Sequence, residues 1–307
     1  MILTHDAYSL ASIQQMRDLA YHRTPERRVH TEAQALQFID EVGMAFLFGE
    51  KGVEMPSLWG AICGEARPVP QHHNDADLGR TWNWKDTLPA RGEVFYGKLL
   101  RKKPTLVSLD LLPGFYALSP NYGELDDYLE QYQDGLMSVE ARNVYRALLE
   151  GGAMATSRLR QAAGLPGKEN ARRFDRALTE LQTQLKIVKV GISDANRWGY
   201  AYVYDLFLRR FPEIAQTARG ISEDQAMETL LGRYMSSVIA VPRKAAQRLF
   251  GWDDWNWERV VGRLGEKRVL YTDMRIEGLR GPCIVKIIDC HHEHDLKKGI
   301  ELWKSRY

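Results

Sequence analysis

Asn170-Ala171-Arg172-Arg173-Phe174-Asp175-Arg176-Ala177-Leu178-Thr179-Glu180-Leu181, followed by Lys186-Ile187-Val188-Lys189-Val190, is the stretch that decides the fold. Ala171, Phe174, Leu178, Leu181 and Leu185 recur every three or four residues. That spacing predicts a helix over residues 169–184 with one apolar stripe. The five residues from Lys186 then alternate in polarity, so the period changes from helix to strand within a turn. A polar turn over residues 191–199 and a return run over residues 200–206 complete a hairpin.

The same pattern extends upstream. Ser138 is a natural N-cap, and Val139, Val144, Leu148 and Leu149 supply the inner side of a first helix that Gly151-Gly152 ends. Thr156 or Ser157 opens a second, short helix over residues 158–163. Gly164 and Pro166-Gly167 close it. Three helices and a hairpin in this order predict a helix-turn-helix with a wing over residues 136–206. The third helix is the one such modules lay in the DNA major groove.

The order returns downstream. Residues 211–220 are expected to be a linker. Ser222 caps a helix over residues 225–236, residues 242–249 form a second, and Asp253 or Asp254 caps a third over residues 255–264. Strands follow at residues 268–272 and 283–288. The repetition is one of pattern, not of letters. Near the N-terminus, Thr31 and Gln34 form a capping-box pattern ahead of Ala35, Leu36, Ile39 and Val42, and Gly43 stops that helix. Met44-Ala45-Phe46-Leu47-Phe48 is a short apolar run, expected as a buried strand or turn. A helix begins near Pro56, residues 64–80 are loop-like, and residues 98–109 suggest a hairpin strand that Pro104 confines to an edge or breaks. Residues 111–116 and 125–132 suggest further helices. The expected class is helix-dominated α+β with tandem winged-helix modules. The expected division is a degenerate winged-helix region with insertions (1–135), a central winged helix (136–210), a C-terminal one (221–290) and a tail (291–307).

The chain of 307 residues has a net charge of +2, so a nucleic-acid surface requires segregated charge. Residues 136–210 segregate it, with thirteen Lys and Arg against seven Asp and Glu. Lys168, Asn170, Arg172, Arg173 and Arg176 surround the start of the third helix, where phosphate contacts add to the helix dipole. Lys186, Lys189 and Arg197 belong to its wing. Arg243, Lys244 and Arg248 lie on the second helix of the last module, and Arg101, Lys102 and Lys103 mark another basic hairpin. The expected partner is duplex DNA. The basic cluster Arg23, Arg27 and Arg28 is expected to be a solvated helix end.

These residues resemble the winged-helix DNA glycosylases of the AlkZ type. Three places carry the resemblance. Residues 170–181 with Ile187-Val188-Lys189-Val190-Gly191 and Tyr204-Asp205-Leu206 are similar to the family's central helix and wing. Phe211-Pro212, Leu230-Leu231-Gly232-Arg233-Tyr234 and Leu249-Phe250-Gly251-Trp252 are similar to its next module. Gly43 to Trp59 resembles its N-terminal motif region. The resemblance spans about residues 30 to 290 and implies tandem winged helices around a concave DNA channel.

It also implies a catalytic element: Gln, an apolar residue, then Gln or Asp. The aligned run in this chain is Phe46-Leu47-Phe48. Phenylalanine neither accepts a proton from water nor presents a carboxylate. The expectation is therefore a DNA-binding, repair-linked protein whose ordinary base excision is lost or altered. Alternatives are an active glycosylase with a shifted acid, Glu50 (Glu54 also follows the run), and a winged-helix transcriptional regulator. Gln37 and Asp40 are more simply surface positions of a helix.

Other features point to no cofactor. No Gly-rich phosphate loop or nucleophile elbow is visible. Cys290-His291-His292-Glu293-His294 fits no standard metal spacing and is expected to be an exposed cluster, like His72-His73. Trp59, Trp82, Trp84, Trp252, Trp255 and Trp257 are expected in cores. Cys63, Cys283 and Cys290 make no disulfide framework, which suits a reducing cytoplasm with nucleoid association. No stretch suggests a signal or a membrane span, so no membrane partner is expected.

Overall fold

The structure, a computed structural model, describes residues 8–71, 74–193 and 201–288. After α1 (Leu10–Ala20), one succession of elements occurs three times: helix, short strand, two helices, two strands. The first is α2 (Glu32–Val42), β1 (Met44–Phe46), α3 (Leu58–Cys63), α4 (Ala76–Arg91), β2 (Val94–Lys98) and β3 (Pro104–Ser108). Helices α5 (Leu112–Ala117) and α6 (Asp127–Gln133) lead to the second: α7 (Val139–Gly151), β4 (Met154–Ala155), α8 (Thr156–Ala162), α9 (Ala171–Thr183), β5 (Ile187–Ser193) and β6 (Ala201–Leu206). Helices α10 (Phe207–Arg210) and α11 (Pro212–Ala218) precede the third: α12 (Glu223–Val238), β7 (Ala240–Pro242), α13 (Arg243–Phe250), α14 (Asp254–Glu266), β8 (Leu270–Met274) and β9 (Cys283–Lys286).

Local chemistry explains most boundaries. Ser138 Oγ accepts from the Ala141 N–H at 3.2 Å and starts α7. Gly152 ends it at φ 72°, a conformation an L side chain would strain. Thr31 and Gln34 form the capping box of α2 in both directions. Asp253 Oδ1 accepts from the Asn256 N–H at 2.9 Å and starts α14. Pro104 stands first in β3, paired with Lys98, a strand-end position where a proline is tolerated.

Three expectations are corrected. Strands β4 and β7 were not foreseen, because two or three residues carry no periodicity. They matter nonetheless: the sheets run β4-β6-β5 and β7-β9-β8, so the last strand of each repeat pairs on both sides. The expected linker over 211–220 is largely helix, with Pro212 at its first position, where a missing N–H costs nothing. The expected loop over 64–80 already contains the start of α4.

The chain divides into two compact units, and they do not follow its serial order. One is Trp82–Ala226. Its core gathers Val144, Leu148, Leu159, Phe174, Leu181 and Leu206 from helices and sheet of the middle repeat. The other joins the described residues up to Thr81 with those from Met227 onward. Arg17 of α1, 3% exposed, is a tie within it. Its guanidinium donates to the carbonyls of Val238 and Ala240 and to Glu54 Oε2. The neighbouring basic cluster is not a solvated helix end. Arg27 meets Glu41 at 2.9 Å beside His22, Arg28 meets Asp77 at 2.6 Å, and Arg23 meets Asp18 at 2.8 Å.

Candidate nucleic-acid interface

Helix α9 separates two chemistries by its period. Phe174, Ala177, Leu178 and Leu181 turn inward and are buried. Arg172 and Arg176 are exposed and lie four residues apart, on one side of the N-terminal half of the helix, and the exposed Lys168 stands in the turn ahead of it. Among the described residues, no side-chain hydrogen bond or ion pair within 4 Å holds any of the three, although the charge of Arg176 helps to lower the pKa of the Glu140 carboxyl. Arg173 differs. It donates to Glu140 Oε1 at 2.8 Å, and Glu140 is held below the usual carboxylate range chiefly by that bond. Asn170 is turned back to its own loop, donating to the Pro166 carbonyl at 2.8 Å.

The two wing lysines are not surface groups. Lys186 is 4% exposed, its Nζ donates to Asn121 Oδ1 at 2.7 Å, and burial pushes its pKa down to about 8. Lys189 is 9% exposed, with its ammonium 4.2 Å from the Tyr96 ring centroid and 3.9 Å from that of Tyr202. Burial, and then the charge of Lys85, push Lys189 down to about 7. Lys85 is fully buried and donates to Asp86 Oδ1 at 2.5 Å and to the Tyr202 hydroxyl at 2.8 Å. These residues form a cation–aromatic stack inside the unit. The physical reason is that β2, which carries Tyr96, packs over β5 and covers the side a lone hairpin would leave wet. Lys186 and Lys189 therefore do not offer their ammonium groups to a phosphate. Arg197 lies outside the described residues, as do His72, His73 and the Cys290–His294 cluster.

The other basic groups divide the same way. Arg101 and Lys102 are exposed, and both adopt positive φ, 50° and 58°, in the turn between β2 and β3. Lys103 is half-buried. That turn is fixed against α9, because Lys98 Nζ donates to Thr179 Oγ1 at 3.1 Å and Thr183 Oγ1 donates to the Lys98 carbonyl at 3.0 Å. Lys244 and Arg248 are exposed on α13, whereas Arg243 is tied to Glu258 and Asp273. Helix α14 begins instead with Asp253, Asp254, the 73% exposed Trp255 and Glu258. The third helices of the second and third repeats thus carry opposite charge at their starts. Trp59, Trp84 and Trp257 lie in cores as expected, but Trp82 and Trp255 are exposed.

In the run expected to align with the catalytic motif, Phe46 closes β1 and is 1% exposed, and Leu47 is 2% exposed. Phe48 is half-buried against Trp59, with ring centroids 6.2 Å apart. Glu50 is half-buried, and its carbonyl accepts from the Val53 N–H at 3.1 Å. Glu54 is held within the fold. It takes the Arg17 guanidinium at 2.9 Å, and its backbone carbonyl accepts from the Tyr234 hydroxyl at 2.8 Å. Gln37 donates to Glu41 at 2.8 Å on the outside of α2. Sequence reasoning missed the Arg17–Glu54 tie and the Lys85 stack, because both join residues far apart in the chain.

The fold is a helix-dominated α+β arrangement with three small antiparallel sheets. A family model described as AlkZ related matches residues 29–251. The chain belongs to this AlkZ-related family. It is similar in structure to the Streptomyces sahachiroi DNA glycosylase AlkZ, with a TM-score of 0.53 and 14% identity over 93% of this chain and 71% of that one. At that identity the likeness is one of fold. No curated protein matches the chain. Among the described residues, no helix is long and apolar enough to cross a membrane.

Proposed function

We propose that this protein binds duplex DNA through winged-helix modules in the service of DNA repair, with ordinary base excision lost or altered. One observation carries the binding half: Lys168, Arg172 and Arg176 present exposed cations just ahead of and along the start of the third helix of the middle repeat. Cations in that position neutralise phosphates, and their unused donors can reach backbone oxygens without reading sequence. Family membership supports the link to repair.

The excision half rests on residues 46–48. Cleaving the glycosidic bond of a damaged purine requires a positioned water and a stabilised, positively charged sugar. A buried Phe46-Leu47 and a Phe48 packed on Trp59 supply neither a proton acceptor nor a negative charge. The test has two parts on the full chain. Fluorescence anisotropy against a labelled duplex at several salt concentrations should show binding that weakens steeply with salt. Single-turnover incubation with a duplex containing N7-methylguanine should release little or no base. Absence of duplex binding at low salt refutes the proposal, and rapid release refutes its excision half.

A further inference from the structure

Residues 104–141 contain seven carboxylates (Asp110, Glu124, Asp126, Asp127, Glu130, Asp134 and Glu140) and neither a lysine nor an arginine. In a chain of net charge +2 this is a marked local excess. The structure also exposes apolar side chains in the same stretch. Leu125 is 40% exposed, Leu129 47%, Leu136 59% and Tyr122 64%.

The geometry around α6 organises these groups. Leu125 stands just ahead of α6 and Leu129 within it, and both are exposed. Asp126, Glu130 and Asp134 are exposed as well. Tyr128 and Gln131 take the inward side. Asp127 is used within the fold, its Oδ2 accepting from the N–H groups of Tyr122 at 2.7 Å and Gly123 at 3.0 Å. The loop that presents Tyr122 and Leu125 is therefore held in place. Leu125 also lines a cleft of 350 Å³, with Leu208, Pro212 and Ala215 among its other walls. The cleft's two arginines are already matched: Arg219 to Glu124 at 2.7 Å, and Arg209 to Asp205 at 3.3 Å and to the Leu148 carbonyl at 2.7 Å.

Single exposed leucines need no explanation. Exposed leucines bordered by carboxylates, beside a cleft whose walls are both apolar and polar, are the pattern of a recognition surface. Nucleic acid does not fit it, because the carboxylates repel phosphates. We infer that the α6 face and its cleft dock a basic amphipathic segment of a partner protein. Apolar side chains of that segment pack on Leu125 and Leu129 and enter the cleft. Its lysines and arginines face Asp126, Glu130 and Asp134. Charge complementarity selects the partner, and the leucines supply the affinity. The surface is distinct from the Lys168, Arg172 and Arg176 cations and does not depend on the DNA proposal.

The experiment titrates a synthetic lysine–leucine peptide of about 14 residues, long enough for a helix of some four turns, into the isotope-labelled full chain. A glutamate–leucine peptide of the same pattern is the control. Amide shifts should saturate and cluster in residues 121–140 and 208–219, and the control should produce none. Two variants, Leu125→Ser with Leu129→Ser and Glu130→Lys with Asp134→Lys, should each weaken binding by about tenfold, which is ~1.4 kcal/mol. Their circular dichroism should match the parent, because all four positions are exposed. Affinity that survives the serine pair means general charge attraction and overturns the inference. So do shifts centred elsewhere. A concentration-dependent dimer abolished by the same variants would assign the face to a second copy of this chain, which also overturns it.

Discussion

The ammonium of Lys189 lies 3.9 Å from the ring centroid of Tyr202, and the hydroxyl of that tyrosine accepts a hydrogen bond from Lys85 at 2.8 Å. Two lysines thus share one aromatic side chain inside the unit, and burial has pushed Lys189 down to about 7 from 10.5. Between those values the unfolded chain holds a proton that the folded chain lacks. Stability therefore rises with pH from about 7 upward, and below 7 the full cost of the buried charge is felt. Lys189→Met removes the charge and keeps the stem. It should stabilise the protein by an amount on the order of 1 kcal/mol at pH 6 and flatten the rise toward pH 9. Denaturant melts across that range measure both. An unchanged pH slope would show that another group carries the effect.

The exposed cations at the start of α9 make a different prediction about salt. Replacing Lys168, Arg172 and Arg176 together by Ala should weaken duplex binding at every sequence. It should also reduce the slope of log affinity against log salt by up to ~0.9 per lost contact. Lys189→Met, whose ammonium is already buried, should leave that slope unchanged. Equal slopes for the triple variant and the parent would exclude α9 as the contact surface.

Arg173 and Glu140 are bonded yet half in water, so their pair is worth little. A double-mutant cycle with Arg173→Ala and Glu140→Ala should return a coupling below ~1 kcal/mol. Ser138→Ala should cost more, on the order of 1–2 kcal/mol. Ser138 caps α7 and also donates through its Oγ to Glu180 at 2.7 Å. Chemical denaturation of the four variants settles the order.

Leu181 is fully buried where α7, α9 and the sheet of the middle repeat meet. Leu181→Ala should destabilise by ~2–5 kcal/mol, through lost transfer energy and the cavity left behind. Val139→Ala, at a position 47% exposed, is the control and should change stability by under ~0.5 kcal/mol. Similar losses for both would contradict the assigned core.

Glu50 carries the prediction about chemistry. If Glu50 served as a catalytic acid, Glu50→Gln would abolish base release. The expected outcome is that neither parent nor variant releases N7-methylguanine in single-turnover incubations, while both bind duplex equally. Release by the parent that disappears in Glu50→Gln would identify an active enzyme with a shifted acid.

The sequence by itself determined the elements whose signals are local. The stripe of α9, the Ser138 and Thr31 caps and the stop at Gly152 each depend on residues within one or two turns. Their repeated order was enough to indicate the family before any coordinate was placed. The exposed Arg172 and Arg176 were legible for the same reason, because helical period separates them from Phe174, Leu178 and Leu181. Only the tertiary structure decided which charges stay in water. Lys189 reads as a solvent-facing residue of a hairpin until β2 brings Tyr96 over it. Arg27 and Arg28 look solvated until Glu41 and Asp77 arrive from 14 and 49 residues away. The short strands β4 and β7 exist only because β6 and β9 lie beside them. Burial and long-range pairing are properties of the whole fold, and no local window of the chain contains them.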